Sequence, residues 1–285
     1  APFLALDGGE EGEGAGPLRV TADLDVLRLR PRADVTGARL SLSANSSGVE
    51  SLRLTGAGGS GPMSLTIGPG AGAGRSVWAD FDDAAFAGRV VGFDTLVRGK
   101  ARLEGAMPAA GRSGPTRLDL TMTDFVVRRG ATTSRVLSET EFAEGRRAAQ
   151  QGDLAFATLT APLVLEGRRI EVGRARATGP SLGVTGSGVI DLGTRRLAIT
   201  GVIAPAYAVN SALGALPVVG ALLVPREGEG LVGVTYRLDG PIDAPKTTVN
   251  PVSALAPGFL RRIFEGRTPT DAGGEPAAAT TSPER

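Results

Sequence analysis

Alternating apolar and polar residues run through most of the chain. The alternation is unbroken over 18–26, and shorter stretches recur at 40–42, 52–54, 63–67, 118–122, 163–165, 170–172, 197–199 and 232–238. This period of two places every second side chain on the same face of a β-strand. Turn signals rich in glycine and asparagine separate the stretches at 45–48, 56–59 and 167–169. The pattern predicts an antiparallel β-meander with one apolar face.

Three segments break this period and predict helices. Residues 82–89 begin with aspartates, which is typical of a short helix start. Ser138 and Glu141 have the spacing of a capping box, which predicts a helix over 138–151. Residues 257–265 predict an amphipathic helix because their large apolar residues recur at helical spacing. Its apolar face consists of candidate membrane-contacting residues, namely Phe259, Leu260, Ile263 and Phe264.

Residues 197–225 carry no charge. The length suits a transmembrane helix, but proline and glycine interrupt the run. We expect a strand followed by short apolar helical segments near 208–216 and 218–224, with a transmembrane helix as the alternative. The apolar surface of these segments either joins the core or contacts a membrane. The candidate membrane-contacting residues here are Leu213, Leu216, Val218, Val219, Leu222 and Leu223.

Composition excludes several kinds of function. The 285 residues include no histidine and no cysteine. Nucleophile pairs that use histidine or cysteine are therefore excluded, and so are zinc sites built from these residues. The 31 basic and 30 acidic residues nearly cancel, so the chain lacks the positive charge typical of a nucleic-acid-binding protein. We expect no catalytic residues, metal, cofactor or nucleic-acid partner.

Two further motifs bear on chemistry. Residues 68–74 are rich in glycine but lack the Gly-Lys-Ser/Thr ending of a phosphate-binding loop, which favours a flexible hairpin loop. Asp80, Asp82 and Asp83 suit either paired carboxylates or a calcium site, and helix capping and turn formation are the preferred interpretation.

The acidic, glycine-rich residues 1–17 predict a linker, and residues 267–285 predict a disordered tail.

An ordered series of motifs lies in the second half of the chain, at 179–192, 201–214, 216–220, 228–231, 240–245 and 249–258. In order and spacing this series resembles the C-terminal region of the bacterial AsmA-like family, closest to its YhdP-type members. Residues 79–85, 92–93 and 97–103 resemble the segment that precedes it, and the signature segment spans 179–266. The matching structural positions are Pro205, Asn210, Gly214, Pro217, Gly220, Gly230, Asn250, Pro251, Pro257 and Gly258.

The resemblance implies an all-β fold, a long curled antiparallel β-sheet forming a taco-like groove, with a few short helices mainly near the C-terminal end. It also implies a non-catalytic role in carrying phospholipids toward the outer membrane. The chain is then expected in the periplasm, as part of a protein anchored in the inner membrane by a segment not present here. Phospholipids and the outer membrane surface are the expected partners, and envelope proteins stay open as further ones.

The expected groove domain covers residues 18–266. Its candidate groove-lining residues are Leu40, Leu42, Leu65, Leu118, Leu120, Leu163, Leu165, Val172, Ile199 and Val234. Two alternatives remain open at this point. The sheet is either a lipid conduit or a scaffold for outer-membrane protein assembly and envelope integrity. In addition, the same alternation is expected for an ordinary sandwich with a filled core.

Overall fold

Thirteen strands form one antiparallel sheet in the computed structural model, which describes residues 16–72, 74–128, 130, 152–205, 234–242 and 244–250. Each strand pairs with its neighbours in sequence, so the sheet is an open meander with β1 and β13 at its edges. The predicted all-β, curled antiparallel sheet is confirmed. The strands are β1 Leu18–Arg30, β2 Ala33–Asn45, β3 Gly48–Gly58, β4 Gly61–Pro69, β5 Arg75–Phe81, β6 Leu96–Met107, β7 Thr116–Val127, β8 Leu154–Glu166, β9 Arg169–Thr178, β10 Leu182–Asp191, β11 Arg196–Pro205, β12 Val234–Pro241 and β13 Lys246–Asn250.

The predicted short helix after β5 is confirmed as α1, Ala84–Val91. Asp83 is its N-cap and accepts a hydrogen bond from the Phe86 N–H. Gly92 ends the helix with φ of 91°, a left-handed conformation that glycine adopts without a steric penalty. Helix α1 packs chiefly against β6 and also contacts β1, β2 and β5, so it lies at one end of the sheet.

Asp83 also joins α1 to the turn between β3 and β4. Its carboxylate accepts hydrogen bonds from the Ser60 N–H at 2.9 Å and from the Ser60 hydroxyl at 3.1 Å, and the side chain is buried. Burial alone raises the pKa of Asp83, but the hydrogen bonds from Ser60, Phe86 and Ala85 outweigh this effect and lower the pKa below its usual value. The ionised carboxylate therefore stabilises the native fold.

We expect Asp83→Asn to lower the free energy of unfolding at pH 7 by about 1–2 kcal/mol, because a cap and two tertiary hydrogen bonds are weakened. The pKa of Asp83 is lowered in the folded state, so its contribution is complete above the unfolded value of about 4 and is lost as the pH falls through the folded value. Urea unfolding at pH 7 and pH 3 measures the difference between wild type and variant, which should shrink at pH 3. The exposed Asp119 provides the control D119N, and an equal loss in D119N would contradict this role of Asp83.

One predicted turn is misplaced by the sequence pattern. The glycine-rich residues 56–59 were expected to form a turn, but β3 continues through Gly58 and the turn is at Gly59 and Ser60. A Cβ atom on Gly58 would lie 2.5 Å from Cε1 of Phe86. Gly58 is thus required by the packing of α1 on the sheet, and only Gly59, with φ of 67°, has a turn conformation.

The sheet is strongly twisted, so that distant strands meet. Adjacent strands in a sheet rotate by roughly 20–25° relative to each other, and β-bulges add to this twist. Irregular register occurs between β1 and β2, β2 and β3, β6 and β7, β8 and β9, and β9 and β10. As a result, Arg30 at the end of β1 lines a common cavity with residues from the β8–β9 and β10–β11 turns.

The connections of the meander are longest at the end of the sheet where α1 lies. Strands β5, β7 and β11 end there, and β6, β8 and β12 begin there. At the opposite end, the described turns between β2 and β3, β8 and β9, and β10 and β11 are short. The predicted helices over 138–151, 208–216, 218–224 and 257–265 lie outside the described residues.

Candidate functional site

A continuous row of uncharged residues crosses the whole sheet. The row is defined by successive cross-strand partners, one from each strand: Val20, Leu42, Leu52, Ile67, Val77, Gly105, Leu118, Leu163, Val172, Gly188, Ile199, Leu238 and Thr247. Directly opposite residues in an antiparallel sheet point to the same face. We call the surface that carries this row the apolar face.

A second row runs beside the first over β1 to β8. It contains Ala22, Leu40, Leu54, Leu65, Ala79, Leu103, Leu120 and Ala161. In this row Ala79, Ala161 and Leu54 are buried, whereas Leu40, Leu65 and Leu120 are only half-buried. All described strands belong to one sheet, so the described residues form no second sheet against this face. A filled two-sheet sandwich is therefore not the arrangement of the described strands.

All ten candidate groove-lining residues lie on the apolar face. Leu118 and Val234 are buried, with 7% and 0% of their surface exposed, and the other eight are half-buried. Their assignment as residues that contact lipid stays a prediction. The candidate membrane-contacting residues lie outside the described part of the chain. Among the family-motif positions, Pro205 ends β11 and Asn250 ends β13, and the remaining eight also lie outside it.

The opposite face is polar and suits contact with water. One row of partners on this face contains Asp23, Arg39, Thr55, Ser64, Asp80, Arg102, Thr121, Thr160 and Arg176. Arg102 donates to Asp80 at 2.7 Å, and its guanidinium lies 5.0 Å from the centre of the Trp78 ring. Exposed pairs of this kind add little stability. Their value here is that they define which side of the sheet faces solvent.

One end of the apolar face is filled with aromatic residues. Phe125 and Phe156 stack with ring centres 5.1 Å apart, and both are almost completely buried. Phe86 of α1 is 1% exposed and packs with Val35 and Met63. The sequence pattern missed this cluster because Phe125 follows Asp124, whose φ of 49° breaks the alternation of β7. The aromatic residues close the apolar face at the α1 end.

At the opposite end, the connection between β6 and β7 reaches across neighbouring strands. Arg75 of β5 donates from Nε to the Pro108 carbonyl at 2.9 Å and from Nη1 to the Val49 carbonyl of β3. A Cβ atom on Gly111 would lie 3.0 Å from the Ser47 carbonyl, so the connection packs on the β2–β3 turn. The apolar face of β3, β4 and β5 is thus bounded at both ends.

A glycine pair allows a tyrosine to lie flat on the apolar face of the last strands. Gly186 and Gly201 are cross-strand partners, and the Tyr236 hydroxyl reaches over them to donate to the Thr185 carbonyl at 2.8 Å. A Cβ atom on Gly201 would lie 2.7 Å from that hydroxyl oxygen. Burial raises the pKa of Tyr236, so the hydroxyl stays protonated and its polar group is satisfied. Two glycines within paired strands are the sequence signal for this close approach, and the alternation of apolar and polar residues does not reveal it.

The three aspartates near α1 have separate partners and do not form a paired carboxylate. Asp80 binds Arg102, Asp82 lies 3.3 Å from the ammonium of Lys100, and Asp83 caps α1. The capping interpretation is therefore confirmed for Asp83. Among the residues that the structure describes, no group of three acidic residues is arranged to hold a metal ion.

Comparison with known proteins returned no relatives: no family model, no curated protein and no solved structure matches this chain. Within the described ranges, no helix is long and apolar enough to cross a membrane. The two faces of the sheet and the resemblance of residues 179–266 to the AsmA-like family remain as indications of function.

Proposed function

We propose that the apolar face is a groove that holds the acyl chains of phospholipids, in a periplasmic part of an AsmA-like lipid-transfer protein. The observation that carries this proposal is the uncharged row that crosses all thirteen strands. With strands about 4.8 Å apart, the row extends over roughly 58 Å along its curved path. A path of this length accommodates several acyl chains in series.

The energetics favour acyl chains as occupants of such a face. Each CH₂ group transferred from water to an apolar surface contributes about 0.8 kcal/mol. The half-buried leucines of the apolar face have remaining surface with which to make that contact. The polar face presents ion pairs and hydroxyl groups to water, so one sheet separates lipid from solvent.

Binding of this kind is passive and does not depend on specific hydrogen bonds to the acyl chain. The groove would let lipids slide along the row, since the row presents leucine, isoleucine, valine, glycine and one threonine, with no charged residue. Under this proposal the chain is not an enzyme, and a concentration gradient or a partner protein drives movement. The inner membrane supplies lipid and the outer membrane receives it.

Site-specific photo-crosslinking tests this proposal in cells of a Gram-negative bacterium that export the chain. We expect a benzoylphenylalanine at Leu42 or Ile199 to form adducts with phospholipid, because both lie on the uncharged row in distant strands. The matched controls are Ser41 and Thr200, the exposed neighbours on the polar face. Lipid adducts at all four positions alike would contradict the groove. Adducts only with an outer-membrane protein would favour the scaffold function instead.

A further inference from the structure

A cavity of about 370 Å³ lies where the twist of the sheet brings its first and later strands together. Its walls come from the end of β1, the end of α1, and the turns that follow β8, β10 and β12. Of the residues that the structure describes, three arginines, three large apolar residues and three glycines line it, and none of these nine is acidic. The charged and apolar residues that matter here are Arg30, Arg168, Arg195, Val91, Leu192 and Ile242.

Contacts of the surrounding turns hold the arginines in place. Arg168 donates from Nη2 to the Leu192 carbonyl at 3.0 Å, and the Leu192 N–H returns a hydrogen bond to the Arg168 carbonyl at 2.8 Å. Arg195 has φ of 53°, and its carbonyl accepts from the Ile242 N–H at 3.0 Å. These two arginines therefore project from a backbone that is already fixed, which lowers the entropy cost of binding a ligand.

Arg30 approaches the cavity from the other side. A Cβ atom on Gly92 would lie 2.8 Å from Nη1 of Arg30, so the guanidinium rests against the glycine that ends α1. The C-terminal end of a helix carries partial negative charge, which favours a cation in this position. Arg30 thus lines the same cavity as Arg168 and Arg195, which lie in turns far from β1 in the sheet order. The curled fold brings these residues together.

The acidic residue of the β10–β11 turn is engaged with its own backbone. Oδ1 of Asp191 accepts hydrogen bonds from the Gly193 N–H at 2.7 Å and the Thr194 N–H at 2.9 Å. These hydrogen bonds, that of Thr194 first, lower the pKa of Asp191. Asp191 therefore stabilises the turn that carries Arg195 and does not line the cavity.

We propose that this cavity binds a phosphate-bearing anion with an apolar substituent. Guanidinium groups match the oxygen atoms of a phosphate through paired N–H donors. Arg30 and Arg168 alone carry two positive charges, which balance the charge of one phosphate group. Val91 is 54% exposed and forms an apolar wall beside the arginines. The same chemistry is found in a lipid headgroup and in a free organic phosphate. The site is separate from the apolar face and does not depend on its occupancy.

Calorimetric titration of the full chain at low salt tests the proposal with two probes, inorganic phosphate and short-chain phosphatidylglycerol. We expect Arg30→Gln and Arg168→Gln each to weaken binding about tenfold, which is typical of losing one charge-assisted contact. Arg53→Gln removes an equal charge from the exposed polar face and should leave affinity unchanged. Val91→Glu places a carboxylate at the cavity wall without removing any arginine, and it should abolish binding. This variant keeps the test valid if Arg168→Gln disturbs the turn between β8 and β9.

The two probes separate the sources of the anion. Because phosphatidylglycerol can also bind to the apolar face, the two probes are compared in the Leu120→Asp background. Equal binding of both probes there assigns the site to a phosphate group in general, and a strong preference for phosphatidylglycerol that Arg30→Gln removes assigns it to a lipid headgroup. Leu120→Asp lies on the apolar face and should leave the binding of inorganic phosphate to the cavity intact. Loss of lipid binding on the apolar face is therefore distinguishable from loss of anion binding in the cavity. The proposal is overturned if Arg30→Gln and Arg168→Gln weaken the binding of neither probe, or if R53Q weakens binding as much as R30Q.

Discussion

Replacing Leu120 by aspartate should strip bound phospholipid from a protein that still folds. Leu120 lies in the middle of the sheet between Leu103 and Ala161 and is half-buried on the apolar face. The substitution loses a leucine contact worth about 1.5–3 kcal/mol and adds a charge that an acyl chain would have to desolvate. We expect a loss of at least about tenfold in bound lipid, since 1.4 kcal/mol corresponds to a factor of ten.

The next residue in the chain gives the matched control for this substitution. Thr121 is exposed on the polar face of the same strand, so Thr121→Asp adds the same charge on the side that faces water. Lipid extraction followed by mass spectrometry quantifies phospholipid per chain in both variants, and circular dichroism checks that both fold. Equal lipid content in L120D and T121D would mean that the apolar face is not the binding surface.

Gly201→Ala should be among the most destabilising single changes in the sheet. Its new Cβ atom would lie 1.9 Å from the Thr185 carbonyl oxygen, which is backbone and cannot rotate away, and 2.7 Å from the Tyr236 hydroxyl. Overpacking of this kind costs about 1–3 kcal/mol, and loss of the Tyr236 hydrogen bond adds about 1 kcal/mol. The expected fall in Tm is roughly 5–15 °C, measured by thermal unfolding.

Gly68→Ala is the control because it is also a glycine within a strand. No atom lies within 4 Å of the Cβ position on Gly68, so alanine there should be neutral or stabilise the chain by a few tenths of a kcal/mol. If G201A and G68A unfolded at the same temperature, the close packing of β10, β11 and β12 around Tyr236 would be wrong.

The sequence predicts the strands that alternate cleanly and misses those with glycine at inward positions. The longest alternating runs, at 18–26, 63–67, 118–122 and 232–238, predicted β1, β4, β7 and β12. By contrast, β6 contains Gly99 and Gly105, and a Cβ on Gly105 would lie 2.0 Å from the Arg117 carbonyl. Such a glycine marks a close approach of backbones and removes an apolar residue from the pattern. The short β13 has only five residues and gives too little pattern to detect.

The common face of the candidate groove residues was predictable because their alternation fixes it, but the exposure of each residue was not. Leu118 is buried and Leu120 is half-buried, although both occupy equivalent positions in one alternating strand. The difference depends on neighbours in space, which the sequence does not specify. The arginine cavity was unpredictable for the same reason. In the sequence, the arginine pairs at 168–169 and 195–196 are ordinary residues beside turns, and nothing indicates that the twist of the sheet places Arg30 near them.

The central claim, that the apolar face holds phospholipid, is tested most directly by native mass spectrometry of the unmodified chain purified from a bacterial periplasm. The account predicts one or more phospholipids bound per chain, released together when the protein unfolds. A folded chain that carries no phospholipid under conditions that preserve other protein–lipid complexes would contradict it.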